Sequence, residues 1–457
     1  MADTMVVINP ATGIRVGEYP GHTPDDVRTR ARAATDAWPK WRRLKFAERA
    51  EILRAAAGIL RRDGESLAIT MATEMGKPIV QGRAEVEKCA WVCEHYAEHG
   101  ARYLGDVSVE TEASESFVTY QPLGAVLAIM PWNFPLWQVF RAAAPTLMAG
   151  NVMLLKHASN VPGAALAIER IWQEAGAPAG IFSTLLISGD EARKLLRSKA
   201  VQAVTLTGST AAGRVVGREA GSRLKKSVLE LGGSDPYLIL ADADLDLAAE
   251  VCARSRLINC GQSCISAKRF IVVESVREAF EQRFTARLAA ARIGDPLDAR
   301  TTLGPMARTD LRDELHAQVL RSLTAGARLL LGGAVPEREG AWYPPTILTE
   351  VRRGMAAWSE ELFGPVAAII PVRDERAAIR AANATAFGLG SAVFTRDVAR
   401  GRRIARDELA AGSAVVNGMV QSDPRLPFGG VGDSGYGREL AGEGIREFVN
   451  IKSVVVT

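Results

Sequence analysis

Cys264 is the residue whose type and setting best fit nucleophilic chemistry. It ends the segment Asn-Cys-Gly-Gln-Ser-Cys (259–264), which is short, polar and contains a glycine. A cysteine that only packs in a core has apolar neighbours, so this setting favours an accessible thiol over a packing role. Because a thiolate needs a lowered pKa or a nearby base, a partner is required. Cys260 could form a disulfide with Cys264 under oxidation, although a packing role is the favoured interpretation of Cys260.

Glu230 and Asn133 are the candidate partners. Glu230 closes the apolar run 226–231 and precedes two glycines, which places a carboxylate at the carboxyl end of a predicted strand, where α/β proteins bind ligands. Asn133 lies between two prolines in Pro-Trp-Asn-Phe-Pro (131–135), so its amide is held where it could donate to a developing oxyanion. Each residue also fits a plainer role, as an exposed strand-end carboxylate or as part of an ordinary turn.

The segment 207–213 (TGSTAAG) follows a predicted strand and opens a predicted helix. In that arrangement the backbone N–H groups at the start of the helix can bind a phosphate. The segment is not the G-x-G-x-x-G pattern of dinucleotide-binding folds. It is not a nucleotide-triphosphatase loop either, because no Lys-Ser or Lys-Thr follows Gly213.

Apolar runs that alternate with helical stretches must position these residues. Helices are predicted over 24–62 and 64–104, with turn signals at Pro39 and Gly64. The alternation that follows predicts βαβ units, mostly parallel sheets and an α/β class. The predicted strands are 123–130, 151–156, 182–187, 201–207, 226–231, a run from 236, 269–274, 367–372, 391–395 and 413–417, with helices at about 136–148, 162–175, 190–198 and 210–220.

Composition excludes several functional classes. The 457 residues are 47% hydrophobic and 24% charged, as in globular proteins of two or three domains, and the small net charge of +4 argues against nucleic acid. No apolar segment reaches the ~18 residues that cross a bilayer. The five cysteines are an odd number, unlike a secreted disulfide framework, and Cys89 and Cys93 have no second pair to complete a zinc site. We expect a cytoplasmic protein with no metal and no membrane partner.

Seven motifs together resemble the aldehyde dehydrogenase superfamily from about residue 5 to the C-terminus. Each motif could arise by chance, but all seven occur in the order and approximate spacing of that family. Within it, the segments around 130–162 and 228–236 are most similar to the short bacterial succinate-semialdehyde dehydrogenases. The motifs are PWNFP (131–135), LLKHAS (154–159), TGS (207–209), LELGG (229–233), GQSC (261–264), EELFGPV (360–366) and PFGG with SGYGRE (427–439).

The resemblance implies a role for each catalytic candidate. Cys264 would attack the aldehyde to give a thiohemiacetal, and Asn133 with the Cys264 backbone N–H would form the oxyanion hole. After hydride transfer to a nicotinamide, Glu230 would activate water to hydrolyse the thioester. The coenzyme contacts that the resemblance implies are Trp132, Lys156, Ser159, Gly208, Ser209, Glu361 and Phe363.

The same resemblance implies an α/β fold with a Rossmann-type coenzyme domain, an α/β catalytic domain and a small β extension that builds oligomers. We predict the coenzyme domain at 1–103 and 122–231, the catalytic domain at 232–431 and the extension at 104–121 and 446–457. The β-rich tail, 446–457, is expected to join another sheet, either in this chain or in a partner subunit. A homodimer or homotetramer is therefore expected.

Coenzyme and substrate choice depend on departures from the family pattern. Ser159 stands where many NAD-using members have a glutamate that would repel a 2′-phosphate, so NADP is expected, with NAD as the alternative. Arg141 matches an arginine that binds the substrate carboxylate in similar enzymes, and Trp137 and Ser422 are weaker candidates for the substrate tunnel. A salt bridge within the protein is the other interpretation of Arg141. A second arginine of some members is replaced here by Ile258, which weakens the case for succinate semialdehyde.

Three other functions compete with succinate-semialdehyde oxidation. A broad-specificity aldehyde dehydrogenase would share every catalytic motif. A non-catalytic binding member of the fold would most simply lack Cys264, Glu230 or Asn133, and all three are present. An enzyme that passes the acyl group to coenzyme A would have no need of Glu230 to activate water.

Overall fold

Helices and strands follow one another along the chain in a computed structural model that describes residues 4–457. Residues 1–3, with which the predicted coenzyme domain begins, lie outside the described part. The helices are α1 Pro24–Trp41, α2 Phe46–Arg62, α3 Gly64–Met75, α4 Ile79–Tyr103, α5 Trp137–Met148, α6 Pro162–Glu174, α7 Gly189–Leu196, α8 Thr210–Gly221, α9 Leu245–Leu257, α10 Arg277–Ala289, α11 Thr309–Thr324, α12 Ala356–Ser359, α13 Glu375–Asn383, α14 Val398–Arg403 and α15 Ala441–Ile445.

The strands include every predicted one and several short ones that were not predicted. They are β1 Met5–Ile8, β2 Arg15–Tyr19, β3 Val107–Ser108, β4 Glu115–Pro122, β5 Ala125–Ile129, β6 Val152–Lys156, β7 Phe182–Thr184, β8 Val201–Thr207, β9 Lys226–Glu230, β10 Pro236–Ile239, β11 Arg269–Val273, β12 Arg328–Leu331, β13 Thr346–Thr349, β14 Val366–Val372, β15 Phe387–Gly388, β16 Gly390–Phe394, β17 Ser413–Val416, β18 Val431–Gly432, β19 Gly435–Tyr436 and β20 Val449–Val456.

The first large sheet has the strand order β19-β9-β8-β5-β6-β7. All neighbours are parallel except β19, which pairs antiparallel with β9 at one edge. Its central strands are buried along their length, as expected of a sheet covered on both faces. The chain runs from β5 outward to β7 and then returns to β8 on the other side of β5. The carboxyl ends of β5 and β8 therefore form a topological switch point, which is where open α/β sheets bind ligands.

The second large sheet has the order β12-β13-β14-β11-β10-β16-β17 and is parallel except for β12. Successive residues of β11 face opposite sides: Phe270 and Val272 pack in one apolar cluster, and Ile271 and Val273 in another. The chain passes from the first sheet to the second between β9 and β10. The carboxyl edge of the first sheet thus meets the amino edge of the second, where the segment before β11 carries Cys264.

A small antiparallel sheet has the order β20-β4-β3. The tail strand β20 pairs along its whole length with β4 of the same chain, from Val449 opposite Pro122 to Val456 opposite Glu115. The other edge of β20 has no partner among residues 4–457, and the side chains of Ile451 and Val455 are exposed. The segments predicted to form the extension therefore share one sheet, while their role in oligomer formation stays a prediction, as does the division into three domains.

The predicted break in the first helical segment is displaced. Pro39 was expected to mark a turn, but it lies inside α1, which continues to Trp41, and the chain breaks at 42–45 instead. A proline near the end of a helix removes only one backbone hydrogen bond, and the buried Trp41 packs in the core just after it. The second predicted segment is also two helices, because Gly76 ends α3 in a left-handed conformation and Pro78 precedes α4.

Candidate active site

The segment that carries Cys264 is held in a strained backbone conformation. Asn259, Cys260 and Gly261 have φ values of 53°, 57° and 75°, which lie in the left-handed region. Non-glycine residues rarely adopt that region, and the strain persists only where the surroundings impose it. A Cβ on Gly261 would lie 2.3 Å from the Gly364 carbonyl oxygen, so glycine is required there. The tight turn delivers Cys264 to the cleft between the two large sheets.

Two buried cations hold the Cys264 segment through its backbone. The Lys268 ammonium donates hydrogen bonds to the carbonyl oxygens of Ser263 (2.9 Å) and Cys264 (2.7 Å), and Arg256 Nη2 donates to that of Gly261 (2.5 Å). Both cations are fully buried. Hydrogen bonds from charged donors are stronger than neutral ones, so the position of the thiol is fixed before any ligand binds.

The Cys264 thiol lies in a partly buried setting between opposing charges. Burial raises the pKa of the thiol to about 12, the cations of Arg141 and Lys268 lower it, and the carboxyl groups of Glu230 and Glu361 raise it. At neutral pH the thiol is therefore protonated in the ligand-free protein. A base or a change in surroundings must accompany nucleophilic attack.

Glu230 has the properties of that base. It ends β9, is 1% exposed, and neither carboxylate oxygen has a hydrogen-bond partner among the described residues. Burial raises the pKa of Glu230 above its ordinary value, against the opposing effect of the Arg141 charge. A carboxyl group with a raised pKa and no donor can take a proton near neutral pH.

Asn133 joins the turn after β5 to the Cys264 segment. Its Nδ2 donates to the Gln262 carbonyl oxygen (3.1 Å), and Asn259 Nδ2 donates to the Asn133 carbonyl oxygen (2.6 Å). A side-chain amide carries two N–H donors, so one stays available for an oxyanion beside Cys264. Asn133 Oδ1 is buried without a partner. The three predicted catalytic residues thus come together from three distant segments, and we call them the reaction centre.

A buried ion pair that sequence reasoning missed supports the Asn133 turn. Glu85 accepts hydrogen bonds from the backbone N–H groups of Leu136 and Trp137, each at 2.9 Å, and pairs with the Lys77 ammonium. A carboxylate is stabilised at a helix N-terminus, here that of α5. No local pattern marks Glu85, because the backbone that it holds lies 51 and 52 residues away.

The predicted phosphate-binding segment lies at the start of α8. Ser209 is the N-cap of this helix, and its hydroxyl accepts a hydrogen bond from Ala212 N (3.2 Å). A Cβ on Gly213 would lie 2.5 Å from Leu231, so glycine permits α8 to pack closely on the strand end. Gly208 N donates to the Glu230 carbonyl oxygen (2.9 Å), which ties this segment to the reaction centre.

The other predicted coenzyme residues lie at two places. Lys156, which ends β6, and Ser159 line a cavity of about 530 Å³ with His22 and Arg308. Burial lowers the pKa of Lys156. Nearer the reaction centre, the rings of Trp132 and Phe363 meet edge to face at 5.8 Å, and Glu361 Oε1 accepts a hydrogen bond from Gly233 N (3.0 Å).

A second cavity, which we call the tunnel, has a volume of about 640 Å³ and contains Cys264 in its lining. The three predicted substrate residues, Arg141, Trp137 and Ser422, also line it. Lys88 lies among them: its ammonium donates to Ser422 Oγ (2.9 Å) and stands 4.3 Å from the centre of the Trp137 ring. We call these four residues the recognition wall. Lys88 was not identified from the sequence, because nothing in its local pattern distinguishes it from a solvated helical lysine.

Arg141 has partners within the protein. Its Nε pairs with the Glu439 carboxylate, its Nη2 donates to Thr207 Oγ1 (3.3 Å), and the guanidinium lies 4.7 Å from the centre of the Phe428 ring. The salt bridge that the sequence left open as an alternative is therefore present. No described residue accepts a hydrogen bond from Nη1, and Arg141 lines the tunnel.

A model of the aldehyde dehydrogenase family matches residues 1–454. The chain belongs to the aldehyde dehydrogenase family. The family that the motifs predicted is thus confirmed, together with the α/β fold class. The match extends over both large sheets and the small one, so the whole chain rather than one segment carries the family likeness.

Several relatives of this aldehyde dehydrogenase are named for succinate semialdehyde. It is 49% identical to a probable succinate-semialdehyde dehydrogenase (NADP(+)) of Synechocystis sp., over 98% of this chain and 99% of the relative. It is 47% identical to a succinate semialdehyde dehydrogenase (NAD(P)+) of Escherichia coli K12, over 98% and 97%. The crystal structure of succinic semialdehyde dehydrogenase from Streptococcus pyogenes with NADP+ superposes with a TM-score of 0.97 at 36% identity, covering 99% of both chains.

Cys260 contributes to packing in this aldehyde dehydrogenase. Its sulfur accepts a hydrogen bond from Gly304 N (3.2 Å), and burial raises the pKa of its thiol to about 12. All five cysteines are free, and Cys264 is the only one that is not fully buried. A fully buried thiol of raised pKa is slow to oxidise, which favours the packing role over a redox switch.

Proposed function

We propose that this aldehyde dehydrogenase oxidises succinate semialdehyde to succinate and prefers NADP to NAD. The observation that carries the proposal is a tunnel that contains the Cys264 thiol and also presents the cations of Arg141 and Lys88. An aldehyde with a carboxylate at its far end matches both features. The names of the relatives from Synechocystis and Escherichia coli support the same substrate.

The proposed chemistry follows from the reaction centre. The Cys264 thiolate attacks the carbonyl carbon, and the oxygen that becomes negative accepts hydrogen bonds from the free Asn133 N–H and the Cys264 backbone N–H. A nicotinamide coenzyme held beside Glu361 and Phe363 would supply the two-electron oxidant for this adduct, so that a thioester would remain on Cys264. Glu230 then takes a proton from water, the hydroxide attacks the thioester carbon, and the carboxylic acid leaves as the sulfur is released.

The residues of the coenzyme side fit a dinucleotide. The N-terminus of α8, opened by Gly208 and Ser209, presents backbone N–H groups to a pyrophosphate, and Glu361 and Phe363 stand beside the reaction centre for a nicotinamide ribose and ring. Lys156 and Ser159 line one cavity and offer a cation and a hydroxyl. Both favour a 2′-phosphate, because neither carries the negative charge that would repel it.

Arg141 has partners in the protein and free donors for a substrate. Nε pairs with Glu439 and one N–H of Nη2 donates to Thr207, which leaves the second N–H of Nη2 and both N–H groups of Nη1. We infer that Arg141 gives the tunnel positive potential and can donate to a substrate carboxylate while its salt bridge to Glu439 stays in place.

Assembly and location are also proposals. Among residues 4–457, no helix is long and apolar enough to cross a membrane. We propose that the free edge of β20 pairs with another copy in a homodimer or homotetramer, because an exposed apolar edge strand invites pairing. A cytoplasmic location, inferred from the free thiols, is proposed on that ground alone.

Initial rates with a panel of aldehydes under both coenzymes test the function. Succinate semialdehyde with NADP should give a kcat/KM at least about tenfold above butanal, which has the same chain length without the charge. NAD should be the poorer coenzyme with every aldehyde. Equal efficiency for charged and uncharged aldehydes would instead support the broad-specificity alternative, and no turnover of any aldehyde would support a non-catalytic member.

A further inference from the structure

One face of α4 forms part of the tunnel. Gln81, Ala84, Glu85 and Lys88 all line the cavity, and their spacing of three, four and seven residues places them on the same side of the helix. The helix is 25 residues long and packs against α2 and α5, so it is a rigid support. Lys88 therefore belongs to the tunnel by the geometry of a fixed element rather than by the chance position of a loop side chain.

Lys88 is the half-buried cation of the tunnel that lacks a counter-ion. Among residues 4–457 it forms no ion pair. Arg141 pairs with Glu439, and Glu85, one turn before Lys88 on the same face of α4, pairs with Lys77. The ammonium has three N–H donors, of which Ser422 accepts one. Two donors are left without a protein acceptor.

Ser422 adds another donor at the same place. Its oxygen accepts hydrogen bonds from Lys88 Nζ (2.9 Å) and from Trp137 Nε1 (3.1 Å). Both neighbours are donors only, so they use the two lone pairs of the hydroxyl and leave its proton to donate elsewhere. No described residue accepts from it, and Ser422 is 5% exposed. A buried hydroxyl proton beside a cation without a counter-ion needs an acceptor, and an anion satisfies both.

The surroundings of Lys88 favour the binding of an anion. Burial and, less strongly, the charge of Arg141 lower the pKa of Lys88, whereas Cys89, Glu85 and Asp423 raise it, and the resulting pKa is about 8. A partly buried cation whose charged form is disfavoured gains the most from an anionic ligand. A bound carboxylate would raise the pKa of Lys88 and restore its charge.

We propose that Lys88, with the Ser422 hydroxyl, binds the distal carboxylate of the aldehyde substrate and determines selectivity for short ω-oxo acids. This inference rests on the proposed function, aldehyde oxidation at Cys264. It names a cation on α4, outside the strand-end segments that carry the catalytic residues. The Lys88 ammonium also supplies a second positive group in the tunnel. The sequence-based case for a charged substrate was weakened because Ile258 replaces the second arginine of some family members.

The test compares Lys88→Met with Lys88→Arg, using succinate semialdehyde and butanal on each variant. Lys88→Met keeps the length of the side chain and removes its charge, so KM for succinate semialdehyde should rise roughly 10- to 150-fold while kcat changes little. The kcat/KM for butanal should fall much less than that for succinate semialdehyde, and circular dichroism of the variant verifies its folding independently. Lys88→Arg keeps the charge and should restore KM for succinate semialdehyde to within about tenfold of the original value.

The pH dependence of KM distinguishes a carboxylate-binding role of Lys88 from a purely structural one. In the unmodified enzyme, KM for succinate semialdehyde should rise above about pH 8 as Lys88 loses its proton, while KM for butanal stays level. Lys88→Arg should abolish that rise, because arginine does not lose its proton in this range. The hydrogen bond from Arg425 lowers the pKa of Asp423, so this neighbouring carboxyl group does not change its charge in that range.

Three outcomes overturn the inference or its basis, and they are distinguishable. Equal losses with both aldehydes in Lys88→Met would assign Lys88 a structural role. Unchanged KM for succinate semialdehyde in that variant, with the unmodified enzyme still preferring it to butanal, would refute Lys88 as the carboxylate site and leave the proposed function intact. No preference for succinate semialdehyde in the unmodified enzyme would refute the proposed substrate itself.

Discussion

The reaction centre and the recognition wall leave opposite kinds of hydrogen-bonding atoms without partners. In the reaction centre the unpaired buried atoms are acceptors, namely both carboxylate oxygens of Glu230 and Asn133 Oδ1. On the wall the free atoms are donors, on Lys88 and Ser422. One region is built to take protons and the other to bind an anion. The tunnel is therefore polarised, so that an aldehyde with a distal carboxylate enters in one orientation.

Removing the base from the reaction centre should have the largest effect. Glu230→Gln keeps the shape of the side chain but cannot take a proton, so we expect thioester hydrolysis to slow by about 100- to 10,000-fold. Stopped-flow absorbance should show a burst of reduced coenzyme followed by a slow steady state. If the burst itself disappears, Glu230 acts earlier, in deprotonating Cys264. Lys88→Met, which alters only the wall, serves as the control that keeps normal hydrolysis.

Breaking the buried ion pair between Arg141 of the recognition wall and Glu439 should have the next largest effect. Arg141→Ala leaves the Glu439 carboxylate buried and unpaired, so the free energy of unfolding should fall by about 3–5 kcal/mol, measured by urea denaturation. The double variant Arg141→Met with Glu439→Gln removes both charges and should regain most of that stability. This double variant tests whether Arg141 also binds the substrate. If it does, kcat/KM for succinate semialdehyde should fall more than that for butanal. Equal losses in the double variant would make Arg141 purely structural.

The residues that the sequence could predict have local signatures. Cys264 lies in a polar glycine-containing segment, Glu230 ends a strand, and Asn133 stands between prolines, so each could be named as a candidate from its neighbours, while its catalytic role came from the family resemblance. Lys88 and Glu85 could not be, because their roles depend on which face of α4 packs over the tunnel. The Arg141–Glu439 pair joins residues 298 positions apart, and the left-handed φ values at Asn259 and Cys260 result from contacts made only in the folded protein.

The difference between local patterns and long-range contacts also explains which strands could be predicted. Strands β5, β6 and β8 are mostly buried strands of a covered parallel sheet, and their apolar residues are visible in the sequence. Strands β18 and β19 are only two residues long and show no such run. The switch point between β5 and β8 could be inferred only as part of a fold class, because strand order depends on pairing and not on any one strand.

The raised pKa of the Cys264 thiol predicts that the rate of its alkylation, measured without coenzyme, rises steeply with pH. A thiol with a pKa of about 12 gains thiolate tenfold per pH unit, so the iodoacetamide rate should rise about 100-fold from pH 7 to 9. Lys268→Met removes a charge that lowers this pKa and should slow alkylation at every pH. A plateau below pH 8 would contradict the prediction. Cys264→Ser should show little labelling, since the other four cysteines are buried.

The smallest expected change concerns coenzyme choice, far from both regions. Ser159→Glu places a negative charge in the cavity lined by Lys156, so the ratio of kcat/KM for NADP to that for NAD should fall about tenfold or more through like-charge repulsion. Ser159→Gln has similar size without charge and should change the ratio less. Equal or better efficiency with NAD in the unmodified enzyme would refute the interpretation of Ser159.

The recognition wall and the reaction centre come from different segments of the chain, and this has a practical consequence for engineering. The wall is contributed by one face of α4, the start of α5 and the segment at 419–422, whereas the thiol, base and amide come from other segments. A library that randomises Lys88, Gln421 and Ser422 can therefore explore new aldehydes while the strained turn at 259–261 stays untouched. Variants with altered substrate range should keep their thioester chemistry, so screening can begin from active enzymes.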